Sequence, residues 1–289
     1  MTRTVYLNGA FVDEVEATVP IMDRGLLFAD AVYEGIGVLE GRLVDGLKHL
    51  DRLDWSLDAV SIARPMGRDE LVGVLHELIR RDGLDEGFLY LHVTRGVAER
   101  NYVHDGDLVP TLFAFTQQQH GVAADGDMVA RTMRTFRDLR WARRDVKTTN
   151  LLGQVLAKQA AADAGDDEAL LVKGEPGDRD AEVTEGGAVS FFPVVGDRLL
   201  VRPLSSEILP GVTRSSVLPV AAAEGLIVEE RTYTLAEAMA ADEAFITGAS
   251  SYVEPVAAID GVLVGDGGVG PWTRRLRVAY LADVRTRLL

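Results

Sequence analysis

The 289-residue sequence contains no cysteine, which removes disulfides and thiol nucleophiles from consideration. It is also short of positive charge. Lys and Arg total 30 against 45 Asp and Glu, a formal net charge of −15. Such a surface repels phosphate backbones and anionic lipid headgroups, so neither nucleic acid nor a membrane is an expected partner, and a small metabolite is. No apolar run approaches the ~20 residues that span a bilayer, and the segment from Met1 has no basic stretch followed by an apolar one. Cytoplasmic residence is therefore expected. The histidines, His49, His76, His92, His104 and His120, show no i, i+3 or i, i+4 pairing and no H-E-x-x-H pattern. The acidic runs near Asp163–Glu168 and Glu175–Glu182 lack calcium-loop spacing, so no metal is expected.

Lysine is the scarcest charged residue: only Lys48, Lys147, Lys158 and Lys173 occur in a chain that otherwise uses arginine. Lys147 stands in Asp145-Val146-Lys147-Thr148-Thr149-Asn150-Leu151-Leu152. A partly buried lysine can lose its proton and attack a carbonyl as a free amine, whereas arginine stays charged, so this position points to Schiff-base chemistry. Downstream lies Glu182-Val183-Thr184-Glu185-Gly186-Gly187, a carboxylate-bearing turn. Further on, Ile208 to Ser216 reads as a turn at Pro210-Gly211 running into a helix start, with hydroxyls at Thr213, Ser215 and Ser216. Free N–H groups and the helix dipole at such an end favour an anion such as phosphate. An imine-forming amine, a carboxylate and a phosphate cradle are together what pyridoxal 5′-phosphate requires.

With 47% hydrophobic and 26% charged residues, the composition is that of a globular protein large enough for one large or two moderate cores. Thr4 to Val15 alternates around Asn8-Gly9 as a hairpin. Ala29 to Val44 reads as a strand pair turned at Glu40-Gly41, with Asp30 to Glu34 equally able to open as a helix. Leu47 to Ile62 and Asp69 to Arg81 carry helical periodicity, and Gly87 to Val97 and Pro110 to Thr116 read as strands. The polar run beginning at Thr116 and ending at Gly121 is the best linker, giving a smaller domain over 1–116, a linker over 117–124 and a larger domain over 125–289. Beyond it the pattern predicts a strand at Met128–Thr135, a helix at Asn150–Ala164 and a strand at Glu168–Val172. A strand pair follows from Glu182–Phe192 and Leu199–Arg202, then helices at Thr213–Glu224 and Leu235–Ala241, a strand at Glu243–Thr247 and a helix at Trp272–Leu288. The glycines of Gly261–Gly270 form a hairpin loop and not a nucleotide fingerprint, since they do not join a strand to a helix in a βαβ unit.

Taken in order, several segments resemble the fold-type IV pyridoxal-phosphate enzymes of the class IV aminotransferase family, most closely the D-amino acid transaminases. They are Tyr6-Leu7-Asn8-Gly9, Asp23 to Asp30 with Val32-Tyr33-Glu34, His49 to Leu53, Val93-Thr94-Arg95-Gly96, Arg140-Trp141 through Leu152, Thr184-Glu185-Gly186, Leu209 to Arg214, and Val253-Glu254-Pro255 before Ile259-Asp260-Gly261. The resemblance implies an α+β fold of two domains, a smaller N-terminal α/β domain and a larger C-terminal one with a β-barrel-like core. It implies a homodimer with the active site at the subunit interface, and pyridoxal 5′-phosphate as cofactor. The implied activity is ping-pong transfer of an amino group from a D-amino acid to a 2-oxo acid such as pyruvate or 2-oxoglutarate. Aminodeoxychorismate lyase, branched-chain L-amino acid aminotransferase and, more remotely, a non-catalytic cofactor-binding protein are the alternatives.

The same resemblance assigns roles. Lys147 is implied as the Schiff-base lysine and catalytic base, and Glu185 as partner of the pyridine nitrogen, Glu182 being the decoy. Arg52 is implied at the phosphate with the Val212 and Thr213 amides and the Thr213 hydroxyl, and Leu209 against the ring. Gly248 and Ala249 match a segment from which relatives send hydroxyls to the phosphate, so Ser250 or a water is expected to substitute, and Ser190 stands where many relatives have asparagine. Tyr33, Arg100 and Tyr102 are implied at the substrate carboxylate. The family's Arg-x-His is here Arg100-Asn101-Tyr102, and the loss of the second positive charge implies weaker carboxylate anchoring and tolerance of (R)-primary amines.

Overall fold

The computed structural model describes residues 3–104, 106–121, 123 and 128–289, and divides into two compact units. The first comprises Met1–Ala123, Val146–Asn150 and Arg287–Leu289; the second comprises Ala124–Asp145 and Leu151–Thr286. Val122 and Ala124 of the expected linker lie outside the described residues. Among the described residues no helix is long and apolar enough to cross a membrane.

The first unit is an antiparallel sheet with helices on one side. Its strands are β1 (Thr4–Leu7), β2 (Ala10–Asp13), β3 (Ala31–Leu39), β4 (Arg42–Leu43), β5 (Gly87–Thr94) and β6 (Thr111–Gln118), in the order β2-β1-β6-β5-β3-β4. A short α1 (Arg24–Phe28) precedes β3, and α2 (Gly46–Ala59) and α3 (Arg68–Asp82) lie between β4 and β5 in sequence. Period-two alternation sorts β5 cleanly. Leu89, Leu91 and Val93 are sealed, while Phe88, Tyr90 and His92 are half-buried on the other face. Helix α2 packs on β3, and α3 packs on β1 and β6 through the rows Leu50, Leu53, Leu57 and Leu71, Leu75, Leu78. The opposite face is an aromatic platform. Tyr33 stacks on Tyr90 at 5.5 Å, Tyr90 on Phe115 at 5.0 Å, and His92 on Phe113 at 4.5 Å between ring centres. Of the two readings open for Asp30 to Glu34, the strand is realised, because β3 is hydrogen-bonded along its length to β5 from Ala31↔Thr94 to Val38↔Gly87.

The second unit is a mixed sheet in the order β12-β11-β10-β13-β14-β7-β8-β9, with a short β15 on β14. These are β7 (Arg131–Arg137), β8 (Glu168–Lys173), β9 (Glu182–Gly186), β10 (Ser190–Val195), β11 (Arg198–Val201), β12 (Ile227–Glu230), β13 (Glu243–Gly248), β14 (Tyr252–Ile259) and β15 (Val262–Leu263). The sheet has to curl. Between Gly186 of β9 and Ser190 of β10 the chain can reach only about 14 Å when extended. In a flat sheet the five strand spacings separating β10 from β9 in the strand order would amount to roughly 24 Å. Curling encloses a core of Met133, Leu170, Val172, Phe191, Leu200, Tyr233, Ile246 and Ile259, and this is the barrel-like C-terminal domain expected for the fold. Helix α4 (Leu152–Asp163) covers β7 and β8, α6 (Leu235–Met239) sits by β9, and α5 (Val212–Ala223) packs on α7 (Pro271–Arg285) and β13.

Two readings need correction. The segment Glu182–Phe192 is two strands and not one, broken after Gly186; β9 pairs with β8, and only β10 pairs with β11. The periodicity also passed over β14, whose Pro255 argues against a strand inside a sheet. Opposite Pro255, β13 is held by neighbouring pairs such as Ile246↔Glu254, and on the β7 side the register shifts between Val256 and Ala258, which takes up the irregularity.

Candidate active site

In the first unit, the segment holding Lys147 lies along the start of β3. Tyr33 N–H donates to the Lys147 carbonyl at 3.0 Å, Thr149 N–H donates to the Ala31 carbonyl at 3.1 Å, and Thr148 bridges Val32. Lys147 N–H donates to Ser56 Oγ of α2 at 3.2 Å. Bracing from both sides fixes the backbone at 147 and leaves the side chain to extend over the aromatic platform, Nζ standing 4.1 Å from the centre of the Tyr33 ring. Lys147 and Tyr33, both named from sequence, are thus brought together, each half-buried.

Arg52 projects from α2 and is buried against Glu34 of β3. Its Nε donates to Glu34 Oε1 at 2.8 Å and its Nη2 to Oε2 at 2.7 Å, a bidentate fork. His49 Nδ1 is 2.7 Å from Oε2. Burial drives the Glu34 carboxyl upward, but Arg52's charge and hydrogen bonds, with those of His49, outweigh it and hold the group down at about 2. Burial lowers His49 below its ordinary value, with Glu34 opposing. Glu34 and His49 were not singled out from the sequence. A legible signal existed, since a carboxylate inside the nearly continuous apolar run Ala31–Leu39 requires a buried cation.

Arg100 and Tyr102 are exposed and gather around Phe28 at the end of α1, the Arg100 guanidinium 5.5 Å and the Tyr102 ring 5.4 Å from the centre of the Phe28 ring. What fixes their loop is a residue the sequence reading passed over. Buried Arg24 donates from Nη1 to the Asn101 carbonyl at 2.6 Å, from Nη2 to the Tyr102 carbonyl at 3.1 Å, and from Nε to Asp30 Oδ2 at 2.8 Å.

In the second unit, Glu185 sits buried in β9. Arg140 Nη1 donates to its Oε1 at 2.5 Å and Leu209 N–H donates to the same oxygen at 3.1 Å. Oε2 has no bonding partner among the described residues. Burial raises the Glu185 carboxyl above its ordinary value, and Arg140 offsets this only in part. Arg140 is shared: its Nε and Nη2 also donate to Asp138 at 2.9 and 2.8 Å. The decoy Glu182 instead pairs with Arg202 at the far end of β9.

The start of α5 has the features expected of an anion site. Gly211 is its N-cap, no side chain caps it, and Val212 and Thr213 are its first residues, their amides having no intrahelical acceptor. The Thr213 hydroxyl hydrogen-bonds the buried Tyr280 phenol, which fixes its rotamer. A Cβ on Gly211 would lie 2.9 Å from Ser190 Oγ, so glycine lets β10 and α5 approach without displacing that hydroxyl. Ser190 pairs directly with Thr247, and paired residues project to the same face, so Thr247 faces the side on which α5 begins. Thr247 Oγ1 is buried without a hydrogen-bond partner among the described residues, and so is Ser251 Oγ. Gly248 has no side chain because Ser251 Oγ occupies that space, 2.9 Å from where a Cβ would be. Ala249 offers no hydroxyl and Ser250 is exposed. An orphaned hydroxyl on the side where an uncapped helix begins, with a second in the loop that follows its strand, fits a phosphate, and a buried carboxylate with one oxygen in hand fits a protonated ring nitrogen.

A lysine amine over an aromatic face, a phosphate-ready helix end and an ion-paired buried acid fit the enzymes that work through pyridoxal 5′-phosphate. The comparisons agree and are more specific. Residues 31–259 match the model of the family amino-transferase class IV, and the chain belongs to that family. It is 33% identical to the D-alanine aminotransferase of Staphylococcus haemolyticus, over 99% of both chains. It is 36% identical to that of Bacillus licheniformis, over 95% of both. Among solved structures it is similar to the T.th. branched-chain amino acid aminotransferase with pyridoxamine 5′-phosphate (TM-score 0.89, 26% identity, 99% of this chain and 95% of that one). It is also similar to the branched-chain amino acid aminotransferase of Thermobaculum terrenum in its PLP form (TM-score 0.83, 26% identity, 99% and 95%).

Proposed function

We propose that the chain is a pyridoxal-phosphate-dependent transaminase that moves an amino group from a D-amino acid to a 2-oxo acid. The observation that carries this reading is Lys147, held by its backbone on both sides with Nζ over the Tyr33 ring, in a chain whose relatives are D-alanine aminotransferases at 33–36% identity. The branched-chain enzymes it resembles in fold are more distant in sequence, at 26%. Bound pyridoxal 5′-phosphate supplies an aldehyde that condenses with amines and a ring that accepts electrons.

The chain's own residues do the rest. Lys147 Nζ would hold the cofactor and, as a free amine, would carry the proton to and from the substrate Cα. Glu185 would hold a proton on the ring nitrogen through Oε2, and Leu209 would pack against the ring. The Val212 and Thr213 amides, with the Thr247 and Ser251 hydroxyls beside Gly248 and Ala249, would hold the phosphate, and Arg52 is the arginine the family resemblance assigns to it. Tyr33, Arg100 and Tyr102 receive the substrate carboxylate. Tyr102 brings a hydrogen bond but no charge, which supports tolerance of (R)-primary amines. The enzyme works as a homodimer in the cytoplasm, and the exposed apolar positions Leu152, Val155 and Leu156 at helical spacing on α4 support a second copy.

The test is a panel of half-reactions followed by cofactor absorbance, with borohydride trapping and peptide mapping. D-alanine is expected to convert the cofactor to its amine form and a 2-oxo acid to restore it, with the reduced label on Lys147. Conversion by L-leucine and not D-alanine would make the chain a branched-chain enzyme, and release of p-aminobenzoate from aminodeoxychorismate a lyase. A label on another lysine would overturn the assignment of Lys147.

A further inference from the structure

Arg140 is assigned no contact of its own with substrate or cofactor, yet it is among the most enclosed cations of the second unit. Its side chain is 5% exposed, between Asp138 at 1% and Glu185 at 7%. Asp138 is held in turn by the Thr184 hydroxyl at 2.8 Å and by Arg144 at 3.4 Å. The guanidinium is therefore locked before it meets Glu185. Nε and Nη2 are committed to Asp138, and only Nη1 reaches Glu185 Oε1.

We propose that Arg140 is a positioning residue for the reaction: clamped by Asp138, it pins Glu185 by Oε1, keeps the carboxylate ionised, and leaves Oε2 as the oxygen offered to the cofactor's ring nitrogen. The inference rests on the role proposed above for Glu185. Its physical logic is a competition for one proton. A buried carboxylate whose only remaining partner is the Leu209 N–H, with Asp138 nearby, takes the proton itself, and the ring nitrogen then goes without. With Arg140 in place, the negative charge on Glu185 is compensated and the proton rests on nitrogen. Arg140 thus sets the electron-accepting power of the ring without touching it. A lysine would keep the charge but lose the planar fork that grips Asp138 and Glu185 together.

The test uses holoenzyme carrying a cofactor isotopically labelled at its ring nitrogen, whose NMR shift reports whether that atom bears a proton, with infrared spectra of the same samples. The wild type is expected to show a protonated nitrogen and E185Q an unprotonated one. R140M is expected to move toward E185Q and to gain a buried carboxylic-acid band that is missing from R140M/E185Q. R140K is expected to lie between wild type and R140M. Turnover in R140M is expected to fall by about 10- to 100-fold, a range typical of groups that orient a functional residue, with little change in KM. A wild-type nitrogen shift in R140M, without the acid band, would overturn the proposal. If R140M does not fold, a wild-type shift and kcat in R140K would do so. An unchanged shift in E185Q would instead remove the role of Glu185, so the two failures are distinguishable.

Discussion

Glu34 and Glu185 are both buried carboxylates held by an arginine, one in each unit, and they respond in opposite directions. Glu34 has both oxygens occupied, by the Arg52 fork and by His49, and is driven down to about 2. Glu185 has bonds on one oxygen only, and its arginine is shared with Asp138, so burial prevails and its carboxyl is raised. Burial alone does not decide a carboxylate's state. The number of oxygens satisfied and whether the cation is shared decide it. Glu34 is built as a finished brace between β3 and α2, whereas Glu185 is left with capacity to spare, which suits the ligand-binding role proposed for it.

Substitution should separate the two most strongly in stability. Glu34→Gln strands the Arg52 fork in the interior and is expected to cost about 3–5 kcal/mol in urea unfolding. Glu185→Gln leaves Arg140 its bonds to Asp138 and gives the Leu209 N–H an amide oxygen, so the loss is expected to be about 1 kcal/mol. Equal losses would erase the contrast.

The next effect is on pH. The depressed Glu34 value means its contribution is present above the ordinary 4.5 and lost as pH falls from there toward about 2. The raised Glu185 value carries the opposite sign, its contribution being present at low pH and lost as pH rises through the folded value. His92, pushed down by burial from 6.5 to about 4, withdraws stability as pH falls across that interval. Unfolding measured across these intervals should therefore show a flatter acid limb for Glu34→Gln below 4.5, and for His92→Phe between 6.5 and about 4. A steep limb in both variants would place the acid sensitivity elsewhere.

The smallest effect is expected at Glu182, which is part-exposed and shares Arg202 with Glu207. Glu182→Gln should change stability by no more than about 1 kcal/mol and leave turnover unaltered. A loss of turnover there would reverse the choice between the two glutamates of β9.

Much of this was legible in the chain. Leu50, Leu53, Leu57 and Leu71, Leu75, Leu78 carry a helical period strong enough to mark α2 and α3, and Asn8-Gly9 marks the first hairpin. Strand β14 was not, because Pro255 is a local signal against a strand and its neighbours outvote it only once β13 and β7 are in place. At the site, Lys147 and Glu185 stood out through rarity and through the resemblance of their segments. Arg24, Glu34 and Arg140 did not, since each acts through a partner distant in sequence, Asn101, Arg52 and Glu185 respectively; at Glu34 the apolar run shows that a cation is needed, but no local pattern says which one.

By itself the sequence determined the family, the order of the main elements and the lysine proposed as the reacting amine, because periodicity, turn residues and rare residue types are local properties. Only the tertiary structure decided which cation meets which carboxylate, and that Thr247 faces the side on which α5 begins. Those depend on distances between side chains far apart along the chain. In a low-dielectric interior such distances fix the charge that a buried group carries.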